Sequence, residues 1–251
     1  MTKKRLATAA RQLLSARRSG FKLEGLAADL VPTGREEAYL VQELLVLQSE
    51  EALGGWKVAV GTGSDPVCSP ILLSAYRTGN EPIDLARTMA NLVEAEIGVR
   101  FGSDLPPRDE PYRDDEVAAA IEAIHPTLEI LGSRFTERAE VSELINVADL
   151  QRNSAVIVGQ AWHDWRQLDL SSEAIVLRIG HADCGTNVGP AIDDIIATLT
   201  WLANGRAMRF GGLKAGQIVI TGSRVNAPIG TRGEMIEARF GTLGPVTLVS
   251  V

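Results

Sequence analysis

Thiols and imidazoles are scarce in this chain. Its 251 residues include two cysteines, Cys68 and Cys184, and three histidines, His125, His163 and His181. No pair among them has the spacing of a zinc motif, and two cysteines cannot build a disulfide scaffold. They read as free thiols in a reducing, cytoplasmic setting. Gly-x-Ser-x-Gly, a P-loop and the Rossmann glycine pattern are all missing, which argues against serine hydrolase, kinase and dehydrogenase chemistry. Gly185-Thr-Asn-Val-Gly189 precedes a helical stretch but lacks the Gly-Lys-Ser/Thr end of a phosphate loop. No apolar run approaches the ~20 residues that cross a bilayer. Basic charge is also short, 25 residues against 32 acidic for a net charge of −7. That balance disfavours nucleic acid and anionic membrane as partners.

What is present is ordinary globular material, 45% hydrophobic and 23% charged, enough for one large domain. The start is basic, with no acid before Glu24. Such a start suits a transit peptide. The stripe Leu6, Ala9, Ala10, Leu13, Leu14 and Ala16 favours instead an amphipathic helix over 3–18, ended at Ser19-Gly20. A second helix is predicted from Glu36 to Leu53, capped by Thr33 with Glu36 as its capping-box partner, and stopped by Gly54-Gly55. Beyond it, strands are predicted at 56–60, 92–101, 154–158, 174–179, 217–221 and 247–251, and loops at 61–70 and 104–114. Helices are expected at 114–124, ended by His125-Pro126, and at 191–204, capped by Gly205. The expectation is an α+β fold, with an N-terminal helical region (1–54) ahead of a β-rich core (55–251) carrying two or three inserted helices.

Three carboxylates carry the chemistry. Glu94 and Glu96 share one face of the strand Leu92–Phe101, whose other face is Val93, Ala95, Ile97 and Val99. Glu129 lies in the apolar run Thr-Leu-Glu-Ile-Leu. Carboxylates rarely enter such runs unless paired or bound to a cation. Mg²⁺ or Mn²⁺ suits an all-oxygen ligand set. The plain alternative is a solvated outer face. Lys57, inside an apolar strand, reads as an acid/base with a lowered pKa or as a snorkelling side chain. Thr221-Gly222-Ser223 closes a strand and either presents N–H groups to an oxyanion or forms a turn. Asp149, after Val147-Ala148, is read as standing at a strand end, where it orients a polar group or caps a turn.

In order along the chain, these pieces resemble the fumarylacetoacetate hydrolase superfamily, and within it the 2-keto-4-pentenoate hydratase and 2-oxo-acid decarboxylase branch. The likeness runs from the helix at 8–31 through Gly55-Trp-Lys-Val58, Val93-Glu-Ala-Glu-Ile97, Gly102-Ser-Asp-Leu-Pro106 and His125-Pro-Thr-Leu-Glu129 with Ser133-Arg134. It ends at Gly212-Leu-Lys-Ala-Gly-Gln-Ile-Val-Ile-Thr-Gly-Ser223. The resemblance implies N-terminal helices followed by a mixed-sheet roll. It implies a metal on Glu94, Glu96 and Glu129, Lys57 as acid/base, and Asp149, Thr221 and Gly222 near a small 2-oxo-acid substrate. It also implies a homo-oligomer, or a complex with a pathway enzyme. Hydration of a 2-hydroxy-2,4-dienoate in catabolism of aromatic compounds is the leading expectation. Decarboxylation of a 2-oxo diacid, acylpyruvate C–C hydrolysis and a non-catalytic partner subunit are the alternatives. Two departures stand out. The branch usually has an acidic residue between the lysine and the Glu-x-Glu strand, and Ser69–Gly79 has none. The Ala-Asp-Asn-x-Ser segment appears as Ala148-Asp-Leu-Gln-Arg152, where Arg152 faces either an extra substrate carboxylate or solvent.

Overall fold

The computed structural model describes residues 2–59, 66–78, 82–136, 141–229 and 232–251. Helix α1 (Thr2–Ser19) buries the whole predicted stripe from Leu6 to Ala16. It packs against α2 (Arg35–Ser49), which buries Ala38, Val41, Leu44 and Leu45. The cap of α2 differs from expectation. Gly34 occupies the N-cap position, and Glu37 rather than Glu36 reaches back, accepting from Thr33 N and Oγ1 at 2.8 and 2.9 Å. Glu37 also pairs with Arg5 at 2.5 Å, tying the two helices together. Helix α2 ends where Glu50 turns left-handed, φ 58°. The sequence pattern carried it to Leu53, but Leu53 opens strand β1 (Leu53–Ala59), because pairing with strand β2 (Val67–Leu72) takes Leu53 opposite Leu72. Val60, much of the expected loop at 61–70 and Gly230 lie outside the described residues.

The remaining strands of the main sheet are β3 (Tyr76–Thr78), β4 (Ala90–Phe101), β5 (Ile121–Gly132), β6 (Asn153–Val158), β9 (Ile218–Ile220) and β10 (Val225–Pro228). Their order is β2-β1-β9-β4-β5-β6-β3, with β10 on β4. The outer members β2 and β3 are joined by only Leu73–Ala75. Seven strands laid flat would separate their edges by roughly 29 Å, whereas the link from Leu72 to Tyr76 spans about 14 Å at most. The sheet therefore curls into a roll with an inner face. A four-stranded antiparallel sheet, β12-β11-β7-β8, is made of β7 (Ala174–Ile179), β8 (Ala182–Val188), β11 (Met235–Phe240) and β12 (Gly244–Val249). Its Ile175, Leu177, Ile236, Phe240 and Leu248 share one core with Val93, Ala95, Ile97, Leu128 and Ile130 on the outer face of the roll. The N-terminal helices belong to the same core through Leu13 and Leu45, as does Trp56 of β1. The α+β mixed-sheet architecture is as expected, and no described helix is long and apolar enough to cross a membrane.

Short helices α3 (Asp114–Ala120) and α4 (Glu143–Ala148), with α5 (Ile192–Asn204), complete the fold. The helix expected over 114–124 stops at Ala120. From Ile121 the chain pairs with β4, so His125 and Pro126 sit opposite Gly98 and Ile97 inside a strand instead of ending a helix. Pairing along the length of β4 outweighs the local helical preference of the Ala-Ala-Ala-Ile-Glu-Ala run.

Gly54-Gly55 does more than stop a helix. A Cβ at Gly54 would sit 2.4 Å from the Tyr76 ring, and one at Gly55 would sit 1.8 Å from the Ile218 carbonyl oxygen. The second contact is backbone and cannot move without parting β1 from β9, which pair in parallel through Gly55, Trp56 and Lys57. We expect Gly55→Ala to lower unfolding free energy by about 3 kcal/mol or more, measured by denaturant titration. Wild-type stability in that variant would contradict the close approach.

Candidate active site

Alternation along β4 sends Val93, Ala95 and Ile97 to the core and leaves Glu94 and Glu96 on the inner face of the roll. Register does the rest. Glu94 lies directly opposite Glu129 on β5, and Lys57 on β1 reaches the same face through β9, where it pairs with Ile220. One oxygen from each of the three glutamates lies within 4.8 Å of the others. Glu96 and Glu129 are fully buried and Lys57 nearly so, so the solvated-face alternative fails.

The ammonium of Lys57 fills the gap among these acids. Its Nζ donates to Glu129 Oε2 at 2.5 Å and to Glu94 Oε2 at 3.3 Å. Asn153 Nδ2 holds the other Glu129 oxygen at 2.8 Å, and the Gly222 N–H holds Glu96 Oε2 at 2.7 Å. Glu96 Oε1 is buried with no hydrogen-bond partner. Burial, then the charge of Glu129, drives the Glu96 carboxyl well above its usual range. Burial also raises Glu129, against the pull of Lys57. For Lys57, burial favours the neutral amine, but attraction to Glu129, Glu94 and Glu96 outweighs it, and the pKa rises. This corrects the expectation of a lowered lysine pKa. The apolar strand is only one wall, and the acids across the roll decide the charge state. Here Lys57 is a proton donor.

Three converging carboxylates with one counter-charge and one orphaned, buried oxygen form an oxygen-rich pocket whose charge a divalent cation would complete. The floor is apolar: Ile71, Ala75, Val156 and Ile220 form a separate buried cluster. Tyr76 closes the roll beneath it, its OH donating to Ile218 O at 2.7 Å. Low polarity there strengthens every charge interaction above.

The other sequence candidates divide. Gly222, left-handed at φ 99°, contributes its N–H directly. Thr221 is buried and its hydroxyl donates to Ile97 O at 2.9 Å, so it serves the β4 junction. Asp149 ends a helix, α4, instead of the strand expected there, and accepts from Arg134 Nε at 2.8 Å, with Arg17 at 3.9 Å. It does not join the carboxylate cluster. Arg152 is buried and sits in a left-handed backbone run with Leu150 and Gln151. In the stretch without an acid, Ser69 stands opposite Lys57 and is held by Gln42 Nε2 at 2.8 Å. Sequence reading missed Asn153 and Tyr76. A polar residue opening the apolar run Asn-Ser-Ala-Val-Ile-Val was the available signal for Asn153. Nothing local marked Tyr76.

A cavity of about 460 Å³ lies against Thr221, Gly222, Ser223 and Arg224, beside the segment that holds Glu96.

No family model matches the chain. Four curated relatives do, each nearly end to end, and two of them stand for the group. One is the 2-keto-4-pentenoate hydratase of Paraburkholderia xenovorans (strain LB400), 26% identical over 98% of this chain and 95% of the relative. The other is a 4-oxalocrotonate decarboxylase of a Pseudomonas species, 27% identical over 95% of both. Among solved structures, the 4-oxalocrotonate decarboxylase of Pseudomonas putida G7, complexed with magnesium and adipate, superposes with a TM-score of 0.85 at 20% identity. That match covers 100% of this chain and 99% of the other. These likenesses support a place in the fumarylacetoacetate hydrolase superfamily, in the branch of these hydratases and decarboxylases.

Removing Asn153 leaves Glu129 unoriented. We expect Asn153→Ala to weaken Mn²⁺ binding by roughly 10–100-fold, read by calorimetry, and Glu129→Gln to weaken it further. Unaltered affinity in both variants would dismiss the cluster as a metal site.

Proposed function

We propose that this protein is a divalent-metal-dependent carbon–oxygen lyase, a hydratase that adds water to a 2-hydroxy-2,4-dienoate or its 2-oxo-4-enoate form in the cytoplasm. The observation that carries the reading is the convergence of Glu94, Glu96 and Glu129 with Lys57 inside the roll. It is supported by the full-length hydratase relative. In this reading the three carboxylates hold Mg²⁺ or Mn²⁺. A cation held by these residues would supply Lewis-acid stabilisation of the negative charge that grows on a 2-oxo acid as its enol proton leaves.

The chain's own residues do the rest. Lys57, charged among the acids, carries the proton moved between dienol and keto forms. Gly222 fixes one Glu96 oxygen and Asn153 one Glu129 oxygen, which leaves Glu96 Oε1 without a partner and Glu129 Oε2 on Lys57. The apolar floor of Ile71, Val156 and Ile220 shields the conjugated chain from bulk water. Loss of the enol proton with protonation at C5 turns the dienol into a conjugated 2-oxo-3-enoate, and one water then adds its hydroxyl to C4 and its proton to C3, leaving a 4-hydroxy-2-oxo acid. Asp149 and Thr221 act from behind, Asp149 by locking Arg134 and Thr221 by anchoring the Gly222 turn to β4.

Decarboxylation of a 2-oxo diacid is the second reading, favoured by the 4-oxalocrotonate decarboxylase relative at comparable identity. One assay separates the two. With Mg²⁺, hydration bleaches the ultraviolet absorbance of 2-hydroxypenta-2,4-dienoate without gas release, and EDTA abolishes it. Carbon dioxide from 4-oxalocrotonate with no bleaching of the dienoate would give the site to the decarboxylase. Lys57→Ala should lower kcat by about 10²–10⁴-fold. Full turnover in that variant would remove Lys57 from proton transfer.

A further inference from the structure

A second cavity, of about 480 Å³, lies where α1 meets the link between β2 and β3, and none of Lys57, Glu94, Glu96 and Glu129 lines it. Its walls are basic in a chain of net charge −7. Five arginines among the described residues line it, against two acids, Glu51 and Asp84. Two of the arginines are buried charges that share one counter-ion. Arg134, 1% exposed, gives Nε to Asp149 Oδ2 at 2.8 Å and Nη1 to Ser154 Oγ at 2.9 Å. Arg17 comes only within 3.9 Å of Asp149 Oδ1, although its side chain is just 13% exposed. Its Nε and Nη2, and that Oδ1, are buried and make no hydrogen bond. Asp149 neutralises one of the two guanidiniums, so the pair keeps one uncompensated positive charge away from water. Burial, then the charge of Arg134, pulls the Arg17 pKa down to about 9, against Asp149 and Glu51, which hold the proton. Unpartnered buried donors are costly unless a ligand meets them.

Charge balance selects the ligand. Arg18, Arg77 and Arg87 add three positive charges around the two buried ones. The acids of the wall are turned to their own neighbours. Glu51 accepts from Ser74 Oγ, and Asp84 Oδ1 accepts from the Ala86 and Arg87 N–H groups at 2.9 and 3.1 Å. Five arginines against Glu51, Asp84 and Asp149 leave an excess of two positive charges among the described groups. A carboxylate would offset one of them. A phosphoryl dianion offsets both and presents three acceptor oxygens that guanidinium forks meet in pairs. Leu14, Ile83 and Met89 add an apolar wall, and the volume is that of a small-molecule pocket rather than of a bare ion.

We infer that this cavity binds a phosphoryl dianion, gripped by Arg17 and Arg134 and carried as the monoester of a small organic molecule whose body lies on the apolar wall. The inference goes beyond the metal and 2-oxo-acid readings and stands apart from them, because the cavity shares no side chain with the carboxylate cluster.

Three probes test it: phenyl phosphate, inorganic phosphate, and benzoate, which has the same ring with a single charge. Each is titrated by calorimetry into metal-free protein, so that the carboxylate cluster offers the probe no cation. Ionic strength is fixed and the pH is held above the second phosphate pKa of about 6. Phenyl phosphate should bind once per chain with a Kd below about 1 mM, and benzoate about tenfold more weakly or worse. Inorganic phosphate separates the sources of the group: binding severalfold weaker than phenyl phosphate supports the monoester, and equal binding keeps the phosphoryl site but gives it to free phosphate. Arg17→Gln should weaken phenyl phosphate by about tenfold or more, and Arg17→Lys should recover part of the loss. Thermal unfolding run in parallel identifies a variant that has lost its fold, in which case Arg87→Gln, at an exposed position, replaces it with an expected severalfold loss. No saturable binding of either phosphate, benzoate binding as tight as phenyl phosphate, or unchanged affinity in the folded variant overturns the inference.

Discussion

Mutual repulsion among three buried carboxylates is the constraint around which this fold is arranged. Glu94, Glu96 and Glu129 present oxygens within 4.8 Å of one another where water is largely excluded. Left uncompensated, that arrangement would cost several kcal/mol per charge. Lys57 supplies one counter-charge and the Gly222 and Asn153 donors supply hydrogen bonds, yet one Glu96 oxygen keeps no partner. The protein thus retains a deficit of positive charge at its centre, which is what a cation-binding site requires of its ligands.

The roll turns that deficit into a site. The short link between β2 and β3 forces the long sheet to curl, and curling gives it an inside. Side-chain alternation along β4 then sorts residues by chemistry, with Val93, Ala95 and Ile97 outward to the shared core and Glu94 and Glu96 inward. The same closure places Tyr76 under Gly54-Gly55 and seals the apolar floor. Stability and chemistry therefore share their residues. The glycines that allow β1 to approach β9 also set the position of Lys57.

Much of this was legible along the chain. The stripe from Leu6 to Ala16 is buried as its spacing demanded, β7 spans the very residues its apolar run marked, and α5 starts one residue later than expected. Errors fell where pairing between distant segments overrode local pattern. An alanine-rich stretch after Ala120 became a strand because β4 lay beside it, and Leu53 left α2 for the same kind of reason. The capping acid shifted from Glu36 to Glu37 because Arg5 and Thr33 both reach that carboxylate.

The sequence by itself determined which residues are chemically out of place: two glutamates on one strand face, a third in an apolar run, a lysine among valine and tryptophan. Composition and two-residue periodicity suffice for that, since both act locally. Only the tertiary structure decided that the four side chains meet, that Lys57 is held protonated, that Asn153 and Tyr76 belong to the site, and that Asp149 is bound to Arg134 instead. Those outcomes depend on distances between strands remote in sequence. Coulomb energies at a few ångströms in a poorly polarisable interior are set by such distances alone.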